Sequence, residues 1–335
     1  MKIVITGSSG YVGGALVSHL STNPKNQIIG IDRIRPLTLI SNNFRFLEID
    51  LAKKNINWDS MDLCDVDAVV HLAAARGDWN LTSDDYFRDN LSATVNLLAA
   101  SWAKDVDQWI LMSSVSVYGP SNFPVGESSS CTPIGPYGES KLASENIFIE
   151  FAKKYKKNFC VIRPSAIFSA NHPPNTNVYK LIESLRSYPV PLIGVGMNRK
   201  SLTYLPNLIQ LTEWLLDRMR NGDLNEAIYN YVEEPTHTVA ELIDMLKESG
   251  IKPSRTIKIP MWIALAAAWP IFALSRIIGI DLRITPERVR KYVSSTWYDA
   301  SLVRQHGFYP KYSFLDALKS VSKSHMAKDK KNILL

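Results

Sequence analysis

The chain has 335 residues, of which 46% are hydrophobic and 21% charged, and its formal net charge is +6. This composition is typical of a folded protein with one large or two closely packed domains, and it lacks the interleaved basic and aromatic residues of a nucleic-acid-binding surface. The three cysteines, Cys64, Cys131 and Cys160, are too widely spaced for a metal site or a disulfide framework, and they fit a reducing compartment.

The first half of the chain alternates short apolar runs with helical patterns. The runs predict strands at 2–6, 27–32, 44–50, 68–74, 108–114 and 158–164. Helices are predicted between them at 13–22, 84–104 and 138–155. Strands separated by helices imply βαβ units, so we expect an α/β fold with a doubly wound parallel sheet of the Rossmann type. No signal peptide precedes the first strand, which predicts a cytoplasmic protein.

The alternation ends after Pro164. Beyond it the patterns predict a helix at 178–187, a strand at 201–205, a helix at 206–220, a strand at 227–232 and a capped helix from Thr238 to Ser249. We therefore predict two domains, a dinucleotide-binding Rossmann domain over 1–165 and a smaller, mainly substrate-binding α+β domain over 166–335. Segments near 200–232 are expected to return to the Rossmann sheet.

The first strand runs directly into a glycine-rich loop, GSSGYVG at 7–13, and a helix follows. A loop of this kind lets backbone N–H groups approach a pyrophosphate, and the helix N-terminus adds a partial positive charge. The spacing is GxxGxxG rather than the GxGxxG of most dehydrogenases. The loop residues that we expect to bind the cofactor are Gly7, Gly10, Tyr11, Val12 and Gly13.

The second predicted strand ends at Asp32, nineteen residues after Gly13. A carboxylate at this point accepts hydrogen bonds from the adenosine ribose and repels a 2′-phosphate, which favours NAD. Arg33 beside it would instead bind a 2′-phosphate, so NADP is the alternative cofactor. Asp50 and Leu51, at the end of the third strand, are expected to contact the adenine, unless Asp50 only caps the next turn.

Tyr137 and Lys141 lie four residues apart in a predicted helix. This spacing places both side chains on one face, where the ammonium lowers the pKa of the phenol toward the range in which it exchanges a proton with a substrate hydroxyl. A run of serines, SSVS at 113–116, precedes them at the end of a strand. A hydroxyl there would bind the substrate oxygen that becomes a carbonyl, so these residues together indicate an acid–base site.

With these residues the chain resembles the extended short-chain dehydrogenases/reductases of the NAD-dependent epimerase/dehydratase family. The matching segments, in family order, are 5–13, Asp32, 71–74, 90–98, 113–119, 137–141 and 163–168. The resemblance implies that Tyr137 is the catalytic acid–base and that Lys141 binds the nicotinamide ribose. It gives Ser114 the place of the catalytic serine, with Ser113 and Ser116 as competitors.

The same resemblance assigns further residues to the cofactor. These are Leu72, Ala73, Ala74, Asn90, Ser113 and Pro164, in addition to Tyr137 and Lys141. Asn90 is also expected to buttress the catalytic helix. His71, in contrast, is expected to be a core histidine whose hydrogen bonds are satisfied.

Two departures from the family narrow the reaction. Dehydratases of the family carry an Asp-Glu pair directly after the catalytic Ser or Thr, whereas this chain has Val115 and Ser116, so 4,6-dehydration is not expected. The segment 194–208 departs from the signature of nucleotide-sugar enzymes, with Pro206 and Asn207 in place of an acidic pair. The later Arg-x-Gly-Asp motif is missing altogether.

We expect the substrate to be bound by residues of both halves of the chain. These are Ser114, Ser116, Asn198, Arg199, Lys200 and Arg288. Arg199 or Lys200 would bind a diphosphate by charge. Arg288 and Arg290 are nearest to the missing Arg-x-Gly-Asp, although a solvated helix face explains them equally well.

The leading hypothesis is an NAD-dependent enzyme acting on a nucleotide-activated sugar, with C4 epimerisation of a UDP-hexose or its N-acetyl form favoured over 4-keto reduction. NAD rather than NADPH, and the missing Asp-Glu pair, support this order. Segments 297–301 and 307–310 also resemble the 3β-hydroxysteroid dehydrogenase branch, so a membrane-docked sterol or lipid dehydrogenase is the second alternative. The complete Ser-Tyr-Lys set argues against a non-catalytic dinucleotide sensor.

The segment 259–275 contains no charged residue and includes Trp262, Trp269 and Pro270. It is shorter than a membrane span and interrupted by proline, so we expect a buried or subunit-interface helix in a soluble homodimer. A helix lying on a membrane surface through 259–280 is the alternative, because several arginines follow closely.

Overall fold

The computed structural model describes residues 1–36, 41–76, 81–121, 123–171, 179, 190–250, 256–278 and 285–333. The helix predicted at 178–187 therefore falls almost entirely outside the described residues.

The strands of the described residues are β1 (Lys2–Thr6), β2 (Gln27–Asp32), β3 (Phe44–Glu48), β4 (Ala68–His71), β5 (Gln108–Met112), β6 (Asn158–Pro164), β7 (Ala166–Phe168), β8 (Val190–Ile193), β9 (Arg199–Lys200), β10 (Leu202–Tyr204), β11 (Glu226–Tyr231), β12 (His237–Thr238) and β13 (Thr256–Ile259). The helices are α1 (Tyr11–Leu20), α2 (Ser83–Tyr86), α3 (Ala93–Leu98), α4 (Pro136–Lys154), α5 (Leu205–Arg220), α6 (Val239–Glu248), α7 (Met261–Ile278), α8 (Pro286–Val293), α9 (Ser301–Gln305) and α10 (Phe314–Ile333), with a π-helical turn at Phe87–Ser92 between α2 and α3. Short 3₁₀ turns lie at Trp58–Ser60, Ser101–Lys104 and Val115–Val117.

A seven-stranded sheet in the order β11-β6-β5-β4-β1-β2-β3 forms the centre of the protein. All neighbouring strands are parallel; in β1, for example, Val4 lies opposite Ile29 of β2 on one side and Val69 of β4 on the other. The inner strands are apolar and buried along their length, because helices cover both faces of a parallel sheet. The doubly wound α/β fold predicted from the sequence is confirmed.

Each face of the sheet has its own apolar cluster, which lies between the sheet and the helices that cover it. On one face α1 and α5 pack on the sheet, through residues such as Leu16 and Leu208. On the other face α3 and α4 do so, through Leu97 and Phe148. Trp109 of β5 is fully buried in this second cluster, where it meets Phe148 and Phe151 edge-on.

A third apolar cluster lies outside the sheet and gathers Phe168, Leu192 and Tyr204 with α6 and α10. Three two-stranded pairs accompany it, β7 with β10, β8 with β13, and β9 with β12. The capping box predicted at the start of α6 is present, since Thr238 and Glu241 bond each other's backbone N–H. The division into domains at 165/166 stays a prediction.

Several element boundaries differ from the predictions. β1, β2 and β6 are as expected, but β3, β4 and β5 end two or three residues early. The single helix predicted at 84–104 is wrong, because the π turn and a 3₁₀ turn interrupt it. Of the segments expected to return to the main sheet, β11 pairs with β6, whereas β10 pairs with β7 in a separate two-stranded sheet.

Helix α7 is not buried within the chain, contrary to one of the two locations expected for it. Trp262 and Trp269 are 71% and 60% exposed. No helix in the described part of the chain combines the length and apolar character needed to cross a membrane. The subunit-interface and homodimer expectations stay predictions.

Candidate active site

The glycine loop after β1 is a tight turn that only glycine permits at two positions. Gly7 has φ +69°, and a Cβ there would lie 2.7 Å from the backbone nitrogen of Ala73. A Cβ on Gly13 would lie 2.0 Å from the carbonyl oxygen of Gly7. The loop is thus folded against itself and against the end of β4, and α1 begins directly from it.

The N-terminus of α1 has the features of an anion site. Its N-cap residue, Gly10, supplies no side-chain hydrogen bond, and no acidic residue lies in the first turn. The first N–H groups of a helix have no partner within the helix, so they remain available to a bound group. Beside them the hydroxyl of Ser9 is buried without a hydrogen-bond partner among the described residues. A dinucleotide pyrophosphate fits this donor set.

One cleft at the carboxyl ends of β1, β2 and β4 gathers most of the predicted cofactor residues. Those that line it are Gly7, Gly10, Asp32, Arg33, Asp50, Leu51, Leu72, Ala73 and Ala74. Sequence reasoning missed Ser9, Ile34, Ala52, Ala75, Asp89 and Ala93, which line it as well. Ser9 stands inside the glycine loop, where its position alone was a usable signal, whereas Asp89 reaches the cleft only through the fold.

Asp32 and Arg33 lie side by side in this cleft but have different partners. The Asp32 carboxylate accepts hydrogen bonds from the backbone N–H of Ser9 and of Ile34, each at 3.0 Å. Arg33 donates to the buried carboxylate of Asp89 at 3.0 Å. Burial alone would raise the pKa of Asp89, but hydrogen bonds from Arg88 and Arg33 hold it below the ordinary range.

The other predicted cofactor residues lie outside the lining of this cleft. They are Tyr11, Val12, Gly13, Asn90, Ser113, Tyr137, Lys141 and Pro164. Tyr11 donates to Ser169 Oγ at 2.8 Å, which joins the start of α1 to the segment after β7. Asp50 accepts from the backbone N–H of Ala52 at 3.1 Å, so it caps the next turn while also lining the cleft.

Asn90 and His71 are buried and fully engaged by protein atoms. Asn90 accepts from the N–H of Ala75 at 2.6 Å and donates to Ser140 of α4 at 2.8 Å, so it links the cleft wall to the helix that carries Tyr137. His71 shares hydrogen bonds with Thr6 and Thr94 at 2.6 and 3.0 Å. Burial, assisted by the charge of Lys141, lowers the pKa of His71 to about 3. It is the satisfied core histidine that the sequence predicts.

Tyr137 and Lys141 occupy the first two turns of α4. Lys141 is buried and donates to the carbonyl oxygen of Met112 at 2.6 Å, and burial lowers its pKa to about 8. The ring of Tyr137 packs edge-on against Tyr86, with 5.8 Å between ring centres. A Cβ on Gly138 would lie 2.6 Å from the carbonyl oxygen of Ser116, so α4 lies directly against the serine-bearing turn.

The three serine candidates differ in their surroundings. Ser114 caps the 3₁₀ turn by accepting from the N–H of Ser116 at 3.2 Å, and its hydroxyl also donates to Ser116 Oγ at 3.0 Å. Ser113 extends β5 toward β6 through its backbone, and its hydroxyl is buried without a partner among the described residues. These contacts do not decide between the serines, so Ser114 as the catalytic hydroxyl stays a prediction.

Three of the residues predicted to bind the substrate are tied to the C-terminal segment. Asn198 donates to the carbonyl of Tyr292, and Lys200 donates to that of Ser294, at 3.1 and 2.7 Å. Arg199 donates to the carbonyl of Thr236 and stacks over the ring of Trp297 at 4.8 Å. Asn198 and Lys200 thus bring β9 together with the end of α8. The Arg288 side chain lies outside the described residues.

A buried polar network behind the site was missed by the sequence reasoning. Arg163 of β6 makes two hydrogen bonds to the carboxylate of Glu145, one turn after Lys141 in α4. It also donates to the hydroxyl of Tyr118 at 2.5 Å, and Tyr118 in turn donates to Asn230 of β11 at 2.9 Å. The network connects the catalytic helix, the serine turn and the edge of the sheet.

The chain was compared with known protein families and curated proteins. The sequence profile of the "NAD dependent epimerase/dehydratase family" matches residues 3–231. The N-acetyl-alpha-D-glucosaminyl-diphospho-ditrans,octacis-undecaprenol 4-epimerase of Escherichia coli O157:H7 is 27% identical over 95% of this chain and 93% of its own length. A UDP-glucuronate 4-epimerase of Thermodesulfobacterium geofontis is 24% identical over 62% of this chain and 69% of its own length.

Solved structures share the fold over nearly the whole chain. A UDP-glucuronic acid 4-epimerase from Bacillus cereus in complex with NAD superposes with a TM-score of 0.76 at 23% identity, covering 98% of this chain and 99% of the other. A UDP-N-acetylglucosamine 4-epimerase from Methanobrevibacter ruminantium gives a TM-score of 0.75 at 19% identity, with 98% of each chain covered.

Proposed function

We propose that this chain, which belongs to the NAD-dependent epimerase/dehydratase family, inverts C4 of a hexose or N-acetylhexosamine whose C1 carries a diphosphate. The observation that carries the proposal is the arrangement of Tyr137 and Lys141 on α4, held against the turn that begins at Ser114. The similar proteins named above act on sugar diphosphates, and their names specify 4-epimerisation.

In this proposal Tyr137 takes the proton of the substrate 4-hydroxyl. A positive charge on Lys141, one turn along the helix, favours the phenolate form that accepts this proton. Ser114 donates a hydrogen bond to O4 as it becomes a carbonyl oxygen. When bound, NAD would supply reversible hydride exchange at C4, and Tyr137 would return the proton to O4, so no net oxidation would occur.

The cofactor assignment is supported by the cleft. Asp32 lines the cleft and would accept hydrogen bonds from the adenosine ribose hydroxyls of NAD, and the open first turn of α1 would receive the pyrophosphate. Arg33, the residue that favours NADP, is bound to Asp89. NAD is therefore the cofactor that we propose, as the family description also states.

Dehydration is not part of the proposal. The two residues after Ser114 are Val115, which is buried, and Ser116, which is half-buried and whose hydroxyl receives the Ser114 hydrogen bond. Neither side chain carries the carboxyl needed to remove a C5 proton or to expel a C6 hydroxyl. Epimerisation and 4-keto reduction need only the Ser-Tyr-Lys set, and these two reactions are separated by experiment.

The test uses purified full-length protein without added cofactor. We expect NAD to be released into the supernatant when the protein is denatured. We also expect the protein to interconvert the two C4 epimers of UDP-N-acetylglucosamine, or of a water-soluble prenyl-diphospho-N-acetylglucosamine. Protein that is free of dinucleotide, and that acts only on a 4-keto sugar with stoichiometric consumption of NAD(P)H, would replace the epimerase with a reductase.

A further inference from the structure

Helix α7 presents a continuous apolar arc to solvent. Its exposed residues over 261–274 are Trp262, Ile263, Ala266, Ala267, Trp269, Pro270, Ala273 and Leu274. At about 100° per residue they all fall within roughly 160° of the helix circumference. The less exposed residues, such as Leu265 and Ala268, occupy the opposite side. No charged residue interrupts the exposed arc.

This arrangement is the reverse of an ordinary surface helix, whose solvent face is polar. Trp262 is 71% exposed, Trp269 60% and Leu274 51%. Side chains of this size on one contiguous face mark a contact surface. The helix has 18 residues and does not qualify as a membrane span, so the contact runs along its side.

We propose that the exposed arc of α7 docks on an anionic lipid surface. Tryptophan combines an apolar ring with an N–H group that suits the boundary between acyl chains and headgroups. Lys258 before the helix and Arg290 after it are exposed cations. The sequence 276–291 contains five Lys or Arg residues and two acidic ones, a net charge of +3. An apolar face with tryptophans and neighbouring cations is the composition of interfacial helices.

A second copy of the chain is a poorer occupant of this arc. A two-fold contact pairs the same patch on both subunits. It would bring two cation-rich segments close to each other, whereas anionic headgroups would neutralise them. The charge distribution therefore favours a lipid surface.

The arc is continuous with the segment predicted to bind the diphosphate. β13, which leads into α7, pairs in parallel with β8, and the N–H of Gly194 donates to the carbonyl of Ile259 at 2.8 Å. From this point the chain exposes Val195 and Met197 and continues to Arg199 and Lys200. Resting on the proposed function, the inference extends to the substrate: its diphosphate would be carried by a lipid anchored in this surface, as in the undecaprenol-linked substrate named for the Escherichia coli relative.

The docking test is vesicle flotation with the full-length protein and no substrate. We expect it to float with phosphatidylcholine vesicles that contain phosphatidylglycerol, less with pure phosphatidylcholine, and less at high salt. Trp262→Ser combined with Trp269→Ser should reduce the floated fraction at least tenfold. Phe123→Ser combined with Tyr309→Ser, which alters two residues that are 76% and 75% exposed elsewhere, should leave it unchanged. Thermal unfolding checks that both variants fold.

Three results overturn the proposal. The wild type stays with the protein fraction in the presence of anionic vesicles, or the tryptophan variant floats as well as the wild type does. Alternatively, the wild type is a dimer that the tryptophan variant converts to monomer, without vesicle binding by either. The epimerisation assay on soluble substrates, without added cofactor, is independent of these outcomes, so docking and catalysis are tested separately.

Discussion

The ammonium of Lys141 lies 2.6 Å from the main-chain carbonyl oxygen of Met112, the last residue of β5. This contact anchors the second turn of α4 to the carboxyl ends of the strands, where the cofactor cleft opens. Burial lowers the pKa of Lys141 to about 8, opposed by the carboxylate of Glu145 one turn further along. A residue predicted to tune Tyr137 is thus itself titratable near neutral pH.

Replacing Lys141 by Met should change the pH dependence of stability. Because the folded pKa of about 8 lies below the ordinary 10.5, the unfolded chain binds more protons at Lys141 between these values, and this residue's contribution to the free energy of unfolding rises with pH across the window. Below about pH 8 both states are protonated and this contribution to the slope vanishes. In urea unfolding at a series of pH values, the free energy of unfolding of the wild type minus that of the variant should rise across this window; parallel curves would contradict the depressed pKa.

Tyr137→Phe should abolish turnover while leaving NAD bound. The phenol is proposed to exchange the O4 proton, and loss of such a group lowers kcat by roughly 10²–10⁴-fold. Tyr155→Phe, at the far end of the same helix, is the matched control and should retain activity. Rates of C4 interconversion and the amount of copurified NAD are the two measurements. A near-normal rate for Tyr137→Phe removes this residue from the mechanism.

The parts of the fold that were predictable are those specified by local pattern. β1 and the glycine loop are local: a buried apolar run ends in glycines that the backbone requires at Gly7 and Gly13. The π turn at Phe87–Ser92 was not predictable, since no residue type or spacing in this segment marks the change from i→i+4 to i→i+5 hydrogen bonds.

Long-range pairings also escaped the sequence reasoning. Arg163 and Glu145 stand 18 positions apart on a strand and a helix, and nothing in their spacing identifies them as partners. For α7, the uncharged run predicted where the helix lies in the sequence. An apolar helix without a polar face does not indicate which of its sides packs against the rest of the protein. The exposure of Trp262 and Trp269 became evident only in three dimensions.

His71→Asn should remove part of the acid sensitivity of the fold. His71 is neutral in the folded protein, since burial lowers its pKa to about 3 from 6.5. The unfolded chain therefore binds an extra proton between these values, and wild-type stability falls as the pH drops below about 6.5. The variant is expected to be less stable at neutral pH, because Thr6 and Thr94 lose their partner, but to have a shallower slope between pH 6.5 and 4. Equal slopes in urea unfolding would assign the acid sensitivity to other groups.

Arg163→Met should destabilise the protein by about 3–5 kcal/mol, because it leaves the buried carboxylate of Glu145 unpaired. Adding Glu145→Met should recover most of that loss, because the double variant contains no unpaired buried charge. Arg220→Met is the control: it breaks a half-exposed ion pair with Asp217, for which about 0–1 kcal/mol is expected. Urea unfolding of the wild type, Arg163→Met, Glu145→Met and the double variant gives the coupling energy. Equal losses for Arg163→Met and the double variant would mean that the pair does not act as a unit.

Asp89→Ala should weaken the preference for NAD over NADP. In the wild type Arg33 is bound to Asp89 at 3.0 Å, while Asp32 lies beside it in the same cleft. Without Asp89 the Arg33 guanidinium is available to a 2′-phosphate, and a charge-assisted hydrogen bond of this kind corresponds to roughly tenfold tighter binding of NADPH. Because Asp89→Ala also frees Arg88, Arg33→Ala in that background is the control and should cancel the gain. In the wild-type background, Arg33→Ala should leave the ratio of the NADH and NADPH dissociation constants nearly unchanged. Asp32→Ala, in contrast, should improve NADPH binding, because it removes the repulsion between the carboxylate and the 2′-phosphate. Titration of cofactor-free protein with NADH and NADPH decides the matter: if wild-type protein binds NADPH more tightly, Arg33 rather than Asp32 selects the cofactor.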